Sequence, residues 1–322
     1  MLDKNAEEGL KLSVVVPVYN SEQCLGALVE KISEALHEKG ISYEVVLVND
    51  GSNDHSWGKI SELSKRFEQI NGINLRKNFG QDNAIMAGLI NSQGEIIVIM
   101  DDDLQHDPCD LIPLMRKVEE GYDVCYASFA IKKQSWFKNY GSWFNGKVAE
   151  IVLKKPREIY LSPYKAINRK IVDEINKYDG PYPYIDGLIF NFTQNITQIM
   201  AQHHQRFAGK GNFNLIKSLS IWSRLAISFS IAPLRIATFI GFIIASVSFM
   251  LALLFIIQYV LGEPAPSGWA SMIVVVLFLG GIQLLILGVM GEYIGRLALY
   301  NNKKPQFSID KIISGDNNER LL

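Results

Sequence analysis

The chain has 322 residues, a formal net charge of −1 and a hydrophobic fraction of 48%. This near-zero charge gives no electrostatic reason to expect a nucleic-acid partner. Three cysteines without close spacing, Cys24, Cys109 and Cys125, favour neither a disulfide framework nor a zinc site, and we expect ordinary buried or half-buried thiols. The acidic, polar start does not resemble a signal peptide, so the N-terminal part is expected to stay in the cytoplasm.

Strand-like and helix-like segments alternate from residue 12 to about residue 128. The predicted strands are 12–18, 43–48, 72–76, 95–100 and 122–127, and the predicted helices are 22–39, 56–67, 83–91 and 111–120. Strict alternation predicts an α/β domain of Rossmann-like type, with a mostly parallel sheet and right-handed crossovers. Since no Gly-x-Gly-x-x-Gly follows the first strand and no Walker lysine loop is present, neither a dinucleotide site nor a P-loop site is supported.

Polar residues follow each of the first three predicted strands, in the segments 17–20, 49–54 and 76–81. Asp50 is placed to accept a hydrogen bond from a base or a ribose, and Gly51 and Gly80 permit close approach of the backbone. Asp54 is placed to cap the helix that follows it. Each segment alone is more typical of a turn than of a site. Their convergence on one edge of the sheet favours a site.

The fourth strand differs because its apolar run, 96–100, ends in three consecutive carboxylates. Ligands of α/β sheets bind just beyond the carboxyl ends of the strands. Asp101 and Asp103 are two residues apart and point to the same side of an extended segment, whereas Asp102 faces elsewhere. With the amide oxygen of Gln105 as a third ligand, this pair predicts a site for a hard divalent cation. The alternative is a solvated acidic turn.

Two long segments without charge occupy the C-terminal third, 236–259 and 270–290, and each is long enough to cross a membrane. Basic residues flank the pair on both outer sides, and the connector 260–269 holds none: Arg206, Lys210, Lys217, Arg224 and Arg235 precede the first segment, and Arg296, Lys303 and Lys304 follow the second. The positive-inside rule then predicts two transmembrane helices with both termini in the cytoplasm. A buried hairpin of a large soluble core is the alternative.

An amphipathic segment, 215–227, precedes the first apolar run and predicts a helix that lies on the membrane surface. An ordinary packed amphipathic helix is the alternative. These features divide the chain into a cytoplasmic α/β domain, a juxtamembrane helix, a two-helix transmembrane domain and a cytoplasmic tail, with predicted bounds of 1–212, 213–234, 235–300 and 301–322.

Successive motifs along the chain resemble those of family-2 glycosyltransferases of the GT-A fold, in particular the polyprenyl-phosphate glycosyltransferases. The motifs are Val14-Val-Val-Pro-Val-Tyr-Asn20, Val48-Asn-Asp-Gly-Ser-Asn-Asp54, Arg76-Lys-Asn-Phe-Gly-Gln81, Met100-Asp-Asp-Asp-Leu-Gln105, Gly121-Tyr-Asp-Val124, Ser135-Trp-Phe-Lys138 with Ser142, the basic segment 203–209, Pro233-Leu-Arg235 and Gly291-Glu-Tyr-Ile-Gly-Arg296. As a set they are highly specific, although each alone is weak.

The resemblance implies a division of the site. Mg²⁺ or Mn²⁺ would be held by Asp101, Asp103 and Gln105. A nucleotide sugar, expected to be a UDP-sugar, would lie against the residues Pro17, Tyr19, Asn20, Asp50, Gly80, Gln81 and Asp102. The acceptor phosphate would contact the residues Lys138, Ser142 and Arg206, which complete the catalytic set with the two metal carboxylates.

The resemblance also implies the reaction and its setting. A polyprenyl phosphate such as undecaprenyl phosphate would attack the anomeric carbon in line, invert it and give a polyprenyl-phosphate sugar for cell-envelope glycans. The enzyme would be a multi-pass protein of the inner (plasma) membrane, in contact with membrane lipid. A homo-oligomer, by resemblance a tetramer, and a small flippase are the expected protein partners.

The chain departs from the usual family pattern on the sugar and acceptor side. Asn49 replaces a carboxylate, Phe129 replaces an arginine, Ile159-Tyr-Leu-Ser-Pro163 replaces an Asp-x-Gly-Cys type segment, and Gly209-Lys-Gly211-Asn-Phe213 replaces a Gly-x-Ser-Lys-Tyr motif. The sequence therefore does not name the donor sugar. Two roles remain open for Asp186: it binds sugar hydroxyls, or it is a structural residue whose hydrogen bonds are satisfied within the protein.

Two other functional classes remain as alternatives. A processive polysaccharide synthase normally has more membrane spans and a Gln-x-x-Arg-Trp segment, whereas residues 202–207 read Gln-His-His-Gln-Arg-Phe. A non-catalytic membrane partner, for example of a flippase, would be expected to lack one of the carboxylates Asp101 and Asp103. Both are present, which favours an enzyme.

Overall fold

The computed structural model describes residues 10–129, 159–201, 232–261, 268–302, 305–315 and 319–321. Its strands are β1 (Leu12–Val18), β2 (Tyr43–Asn49), β3 (Ile70–Leu75), β4 (Ile96–Ile99), β5 (Val124–Phe129), β6 (Lys165–Asn168), β7 (Ile196–Ala201), β8 (Ile309–Ile313) and β9 (Glu319–Leu321). Its helices are α1 (Glu22–His37), α2 (Ser56–Arg66), α3 (Gln81–Asn91), α4 (Leu111–Glu119), α5 (Arg169–Ile175), α6 (Ile185–Phe192), α7 (Ala232–Val260) and α8 (Trp269–Asn301).

One sheet organises the α/β unit, with the strand order β7-β5-β6-β4-β1-β2-β3-β8-β9. β1 pairs in parallel with β2 and with β4, and every residue of β1 is buried because helices cover both faces of the sheet. Apolar residues of α1, α2 and α4 form the core on one face, and those of α3, α5 and α6 form the core on the other. The predicted Rossmann-like α/β architecture is confirmed for this half.

The sheet is mixed, which corrects the prediction of a mostly parallel one. β6 lies between β4 and β5 and runs antiparallel to both, while β5 pairs in parallel with β7. β6 has only four residues, so its sequence carries no alternation long enough to mark it as a strand. This strand brings Lys165 beside Ile99, at the end of β4.

The C-terminal tail contributes to the same sheet. β8 pairs antiparallel with the outer edge of β3, from Gly72 opposite Ile313 to Leu75 opposite Ile309, with a register shift between Asn74 and Leu75. A Cβ at Gly72 would lie 2.8 Å from Cγ1 of Ile313, so the glycine lets the tail strand approach. Residues 303–322, predicted as a separate cytoplasmic segment, belong to the same compact unit as residues 1–212.

The second compact unit, residues 213–302, contains α7 and α8. The predicted apolar segments lie within these helices, and many of their large apolar side chains are exposed, for example Phe242 at 70% and Leu284 at 72%. Among the described residues, one helix is long and apolar enough to cross a membrane, over Phe278–Gly295 of α8. The prediction of two spans is not confirmed. The predicted surface helix 215–227 lies outside the described residues.

Candidate active site

The acidic tip of β4 is joined directly to the tip of β1. The backbone N–H of Tyr19 donates to Oδ2 of Asp102 at 3.1 Å, so the middle carboxylate turns toward the first loop. Leu104 has a positive φ of 60°, and the backbone N–H of Gln105 donates to Oδ1 of Asp103 at 3.1 Å. These bonds form a tight acidic turn at the carboxyl end of the strand. The predicted placement of Asp101, Asp102 and Asp103 at this end is what the structure shows.

A buried histidine supports this turn from behind. The backbone N–H of Asp101 donates to Nδ1 of His106 at 3.2 Å. The histidine is 4% exposed, and its ring stacks on Tyr164, with ring centroids 4.8 Å apart, and on Phe129, at 5.7 Å. Phe129, one of the departures from the family pattern, thus belongs to an aromatic support for the acidic turn. No sequence pattern pointed to His106, because its partners come from separate strands and loops.

Charge is concentrated at this turn. Burial and the neighbouring carboxylates of Asp103 and Asp102 raise the pKa of Asp101 to about 7, while Lys165 and a hydrogen bond from Gln81 oppose the rise. Nε2 of Gln81 donates to Oδ1 of Asp101 at 2.8 Å. Burial also raises the pKa of Asp102. The ionised forms of Asp101 and Asp102 are therefore disfavoured by burial, and a nearby cation would favour them.

A divalent cation fits this charge. In the part of the chain that the structure describes, no group of three or more His, Cys, Asp or Glu side chains is arranged to hold a metal ion by itself. Mg²⁺, however, is usually bound by one or two carboxylates together with waters and substrate phosphates. Asp101 and Asp103 match that incomplete ligand set. We therefore expect a metal here only in company with a phosphate-bearing ligand.

The tip of β2 uses its aspartate differently. Asp50 is 3% exposed, and its two oxygens accept hydrogen bonds from the backbone N–H groups of Phe79, at 2.7 Å, and Gly80, at 2.9 Å. Gly51 has a φ of 62°, and a Cβ there would clash with the backbone nitrogen of Asn78. Asp50 thus fixes the loop after β3 to the loop after β2. Each oxygen that the sequence assigned to a base or ribose thus already accepts one hydrogen bond within the protein, and the assignment of Asp50 to the nucleotide stays a prediction.

Hydrogen bonds also join the loop after β1 to the loop after β2. The backbone N–H of Asn20 donates to Oγ of Ser52 at 3.0 Å, and that of Asn53 donates to Oδ1 of Asn20 at 2.8 Å. Tyr19 is 48% exposed beside this joint and is available to a flat ligand. Pro17, by contrast, is buried within β1 opposite Val48, so its side chain is not accessible from the tip.

Asp54, at a helix N-terminus, and Asn49, in a family motif, both have hydrogen-bond partners in the structure. Asp54 accepts from the backbone N–H groups of Ser56, at 3.0 Å, and Glu22, at 3.2 Å, which are the first residues of α2 and α1. Its predicted capping role is therefore confirmed and extends to a second helix. Asn49, which stands where the family usually has a carboxylate, donates from Nδ2 to Oδ1 of Asn74 at 2.7 Å.

A buried polar cluster lies beside the acidic turn and includes Asp186. Lys165 is 4% exposed and forms an ion pair with Asp186, which also accepts a hydrogen bond from the Tyr126 hydroxyl at 2.8 Å. These two partners favour the structural interpretation of Asp186. Burial raises the pKa of Asp82 to about 6, with Asp186 adding to the rise and Lys165 opposing it. Sequence reasoning missed Lys165 because a lone lysine on a short strand has no distinguishing pattern.

Several predicted positions are not described. Lys138, Ser142 and Arg206 lie outside the described residues, as do His203 and Gly211. Their assignment to the acceptor phosphate stays a prediction. The three cysteines all lie in the described part of the chain, and no disulfide joins them. Cys24 and Cys125 are buried as expected, and Cys109 is exposed.

Comparison with known proteins identifies the family. Residues 13–176 match the model of glycosyl transferase family 2. An uncharacterized glycosyltransferase from Synechocystis sp. is 33% identical over 310 residues, which cover 94% of this chain and 96% of that protein. An undecaprenyl-phosphate 4-deoxy-4-formamido-L-arabinose transferase from Yersinia enterocolitica is 31% identical over 317 residues, covering 98% of this chain and 97% of that protein.

The fold has a counterpart among solved structures. Glucosyl-3-phosphoglycerate synthase from Mycobacterium tuberculosis, in complex with Mn²⁺, uridine diphosphate and glucosyl-3-phosphoglycerate, matches with a TM-score of 0.50. The match covers 67% of this chain and 78% of that one at 16% sequence identity, and at that identity it shows the fold alone. The resemblance in the motifs is thereby confirmed and the non-catalytic alternative is set aside: the chain is a glycosyltransferase and belongs to glycosyl transferase family 2.

Proposed function

We propose that this enzyme transfers a sugar from a UDP-sugar to the phosphate of a polyprenyl phosphate, with inversion at the anomeric carbon and with a divalent metal. The observation that carries the proposal is the acidic turn at the end of β4, where Asp101, Asp102 and Asp103 are consecutive and partly buried at the carboxyl end of a parallel strand. A nucleoside diphosphate with a bound cation would supply positive charge at this turn.

Each part of the donor site has a support in the structure. Asp101 and Asp103 would hold Mg²⁺ or Mn²⁺, which when bound neutralises charge on the departing nucleoside diphosphate. The loops after β1 and β2 present the exposed Tyr19 and the backbone of Asn20 next to that turn. The Mn²⁺ and uridine diphosphate bound by the mycobacterial synthase favour a uridine nucleotide here as well. Gln105 remains a proposed third ligand.

The acceptor is inferred from the relatives and from the chemistry of phosphate. Curated relatives across nearly the whole chain are named for transfer to undecaprenyl phosphate. A phosphate monoester has a second pKa of about 6, so it is mostly a dianion at neutral pH and attacks without a strong general base. This agrees with an Asp186 whose carboxylate is already paired with Lys165. We assign Lys138, Ser142 and Arg206 to the acceptor phosphate.

The test uses the purified full-length protein with undecaprenyl phosphate in vesicles and a panel of nucleotide sugars, with mass analysis of the lipid. We expect one lipid-phosphate sugar, formed only with Mg²⁺ or Mn²⁺ and abolished reversibly by EDTA. Arg206→Ala should raise the Michaelis constant for the lipid roughly ten- to hundredfold, because a charge-assisted contact is lost. Polymer formation from the sugar, or transfer with the metal removed, would contradict the proposal.

We further propose two membrane spans with the catalytic unit and both termini in the cytoplasm. Cys109 is the exposed thiol of the chain, and Cys24 and Cys125 are buried. A membrane-impermeant maleimide should therefore label the protein in inside-out vesicles but not in intact spheroplasts, and Cys109→Ser should remove the label. Labelling of Cys109 in intact spheroplasts would place the catalytic unit outside. A homotetramer and a flippase partner stay predictions of the resemblance.

A further inference from the structure

A line of hydrogen bonds runs from the C-terminal strand to the loops of the donor site. Oδ2 of Asp310, in β8, accepts from Nδ2 of Asn74 at 3.3 Å. Oδ1 of Asn74 accepts from Nδ2 of Asn49 at 2.7 Å. Oδ1 of Asn49 accepts from the backbone N–H of Ser52 at 3.3 Å, and Oγ of Ser52 accepts from the backbone N–H of Asn20.

The direction of every bond in this line is fixed by its two ends. A carboxylate accepts hydrogen bonds and donates none, so Asp310 requires the NH₂ group of Asn74 to point toward it. The oxygen of Asn74 then points toward Asn49, which must donate. At the other end the backbone N–H of Ser52 donates, so Asn49 must also accept there. An amide satisfies both demands at position 49, whereas an ionised aspartate does not.

The tail holds the loop after β3 as well. The backbone N–H of Arg76 donates to the carbonyl oxygen of Ser308 at 2.9 Å, and Nη1 of Arg76 lies 3.2 Å from Oδ1 of Asp310. Both side chains are at least one third exposed, so the ion pair itself contributes little to stability. Its effect is to fix the carboxylate that orients Asn74. Arg76 opens the loop whose N–H groups at Phe79 and Gly80 bind Asp50.

We propose that Asp310 is a positioning residue for the donor nucleotide, acting through Asn74 and Asn49 on Ser52 in the loop after β2 and on Asn20 in the loop after β1. The inference rests on the proposed function only in assigning these two loops to a uridine nucleotide. Asp310 itself touches no substrate in this account. The tail strand thereby sets the shape of the nucleotide side of the site while the acidic turn at β4 is held by other contacts.

The experiment measures UDP affinity by calorimetry in the presence of Mn²⁺, on full-length protein, together with the Michaelis constants for donor and lipid. Asp310→Ala should weaken UDP binding and raise the Michaelis constant for the donor about tenfold, because the hydrogen bond that orients the Asn74 amide is lost. The Michaelis constant for the lipid should stay unchanged. Glu62→Ala is the matched control, because Glu62 is an exposed carboxylate paired with Lys59 on α2 and should leave both constants unchanged.

A double variant tests the direction of the bonds. Asn49→Asp alone should also weaken UDP binding about tenfold, because the carboxylate introduced at position 49 and that of Asp310 both demand the NH₂ group of Asn74. Combined with Asp310→Asn, the Asn74 amide can reverse, donate to position 49 and accept from position 310. The double variant should therefore bind UDP better than Asn49→Asp alone. A general loss of structure would not produce that rescue.

The outcomes separate this inference from the proposed function. If the wild-type protein binds UDP and Asp310→Ala binds it equally well, the positioning role is wrong. Equal losses for donor and lipid, or a double variant no better than Asn49→Asp, would also overturn it. Failure of the wild-type protein to transfer sugar to a lipid phosphate would contradict the proposed acceptor, and the UDP measurements would still decide the role of Asp310.

Discussion

The tips of β2 and β4 are alike in sequence and opposite in what their aspartates do. Each apolar strand ends in acidic or amide residues, yet Asp50 has two backbone N–H groups on its oxygens and Asp101 has two further carboxylates nearby. The difference comes from Gly51 and the loop after β3, which bring amides to Asp50. A strand-end aspartate thus connects two loops where backbone amides surround it, and it is a proposed cation ligand where carboxylates do.

The largest effect should come from the proposed cation site. Asp103→Asn is expected to lower sugar transfer about a hundredfold or more, because charge developing on the leaving diphosphate loses its metal. Asp102→Asn is the matched control: its amide oxygen can still accept from Tyr19, so transfer should fall far less. The measurement is the rate of sugar transfer by each variant at saturating Mn²⁺. Equal losses in the two variants would remove the distinction between the carboxylates of the turn.

The next effect concerns stability beside the same turn. Lys165→Met should lower the free energy of unfolding by about 3 kcal/mol or more, since Asp186 would stay buried without its cation. The double variant Lys165→Met with Asp186→Leu should recover most of this loss, because neither partner of the ion pair is then left without the other. Denaturant unfolding of the three proteins is the measurement. A single variant as stable as the wild type would show that Lys165 is not needed to balance this cluster.

The β2 tip should show a smaller, purely structural effect. Asp50→Ala leaves the N–H groups of Phe79 and Gly80 without acceptors, and we expect a loss of about 2 kcal/mol in unfolding free energy. Asp50→Asn retains one acceptor oxygen and should lose about half as much. If Asp50→Ala keeps full stability and instead loses UDP affinity, Asp50 is a ligand-binding residue and the comparison fails.

The smallest effect is a pH dependence at Asp82. Its folded pKa of about 6 lies above the ordinary value of 3.8, so the folded protein holds this proton more tightly than the unfolded chain. The contribution of the Asp82 proton to the free energy of unfolding is therefore greatest below pH 4, falls between pH 4 and pH 6, and is lost above pH 6. Asp82→Asn should remove that fall and be more stable than the wild type at pH 7.5 by on the order of 1–2 kcal/mol. A difference that is the same at pH 4 and pH 7.5 would contradict this origin.

Hydrophobic patterns within short windows of sequence predicted the first strand and the first four helices. β1 has the predicted bounds, and the predicted helices agree with α1 to α4 to within two residues at each end. The acidic turn was predicted because its residues are consecutive. The sequence did not predict β6, which has only four residues, or β8, which pairs with β3 from a distant part of the chain. Likewise the bond between Asn74 and Asp310 joins residues 236 positions apart, and no window of sequence contains both.

The position of β8 in the chain has a consequence for biosynthesis. The strand that covers the edge of β3 leaves the ribosome after both long apolar helices, α7 and α8. Residues up to about 201 can fold earlier, but the edge of β3 is then not covered by β8. An uncovered strand edge can pair with another chain. A released chain that ends before residue 305 should therefore be cleaved by protease near β3, and the chain that continues through β8 and β9 should be protected. On the proposed role of Asp310, the enzyme reaches its full affinity for the donor only after α7 and α8 have been made.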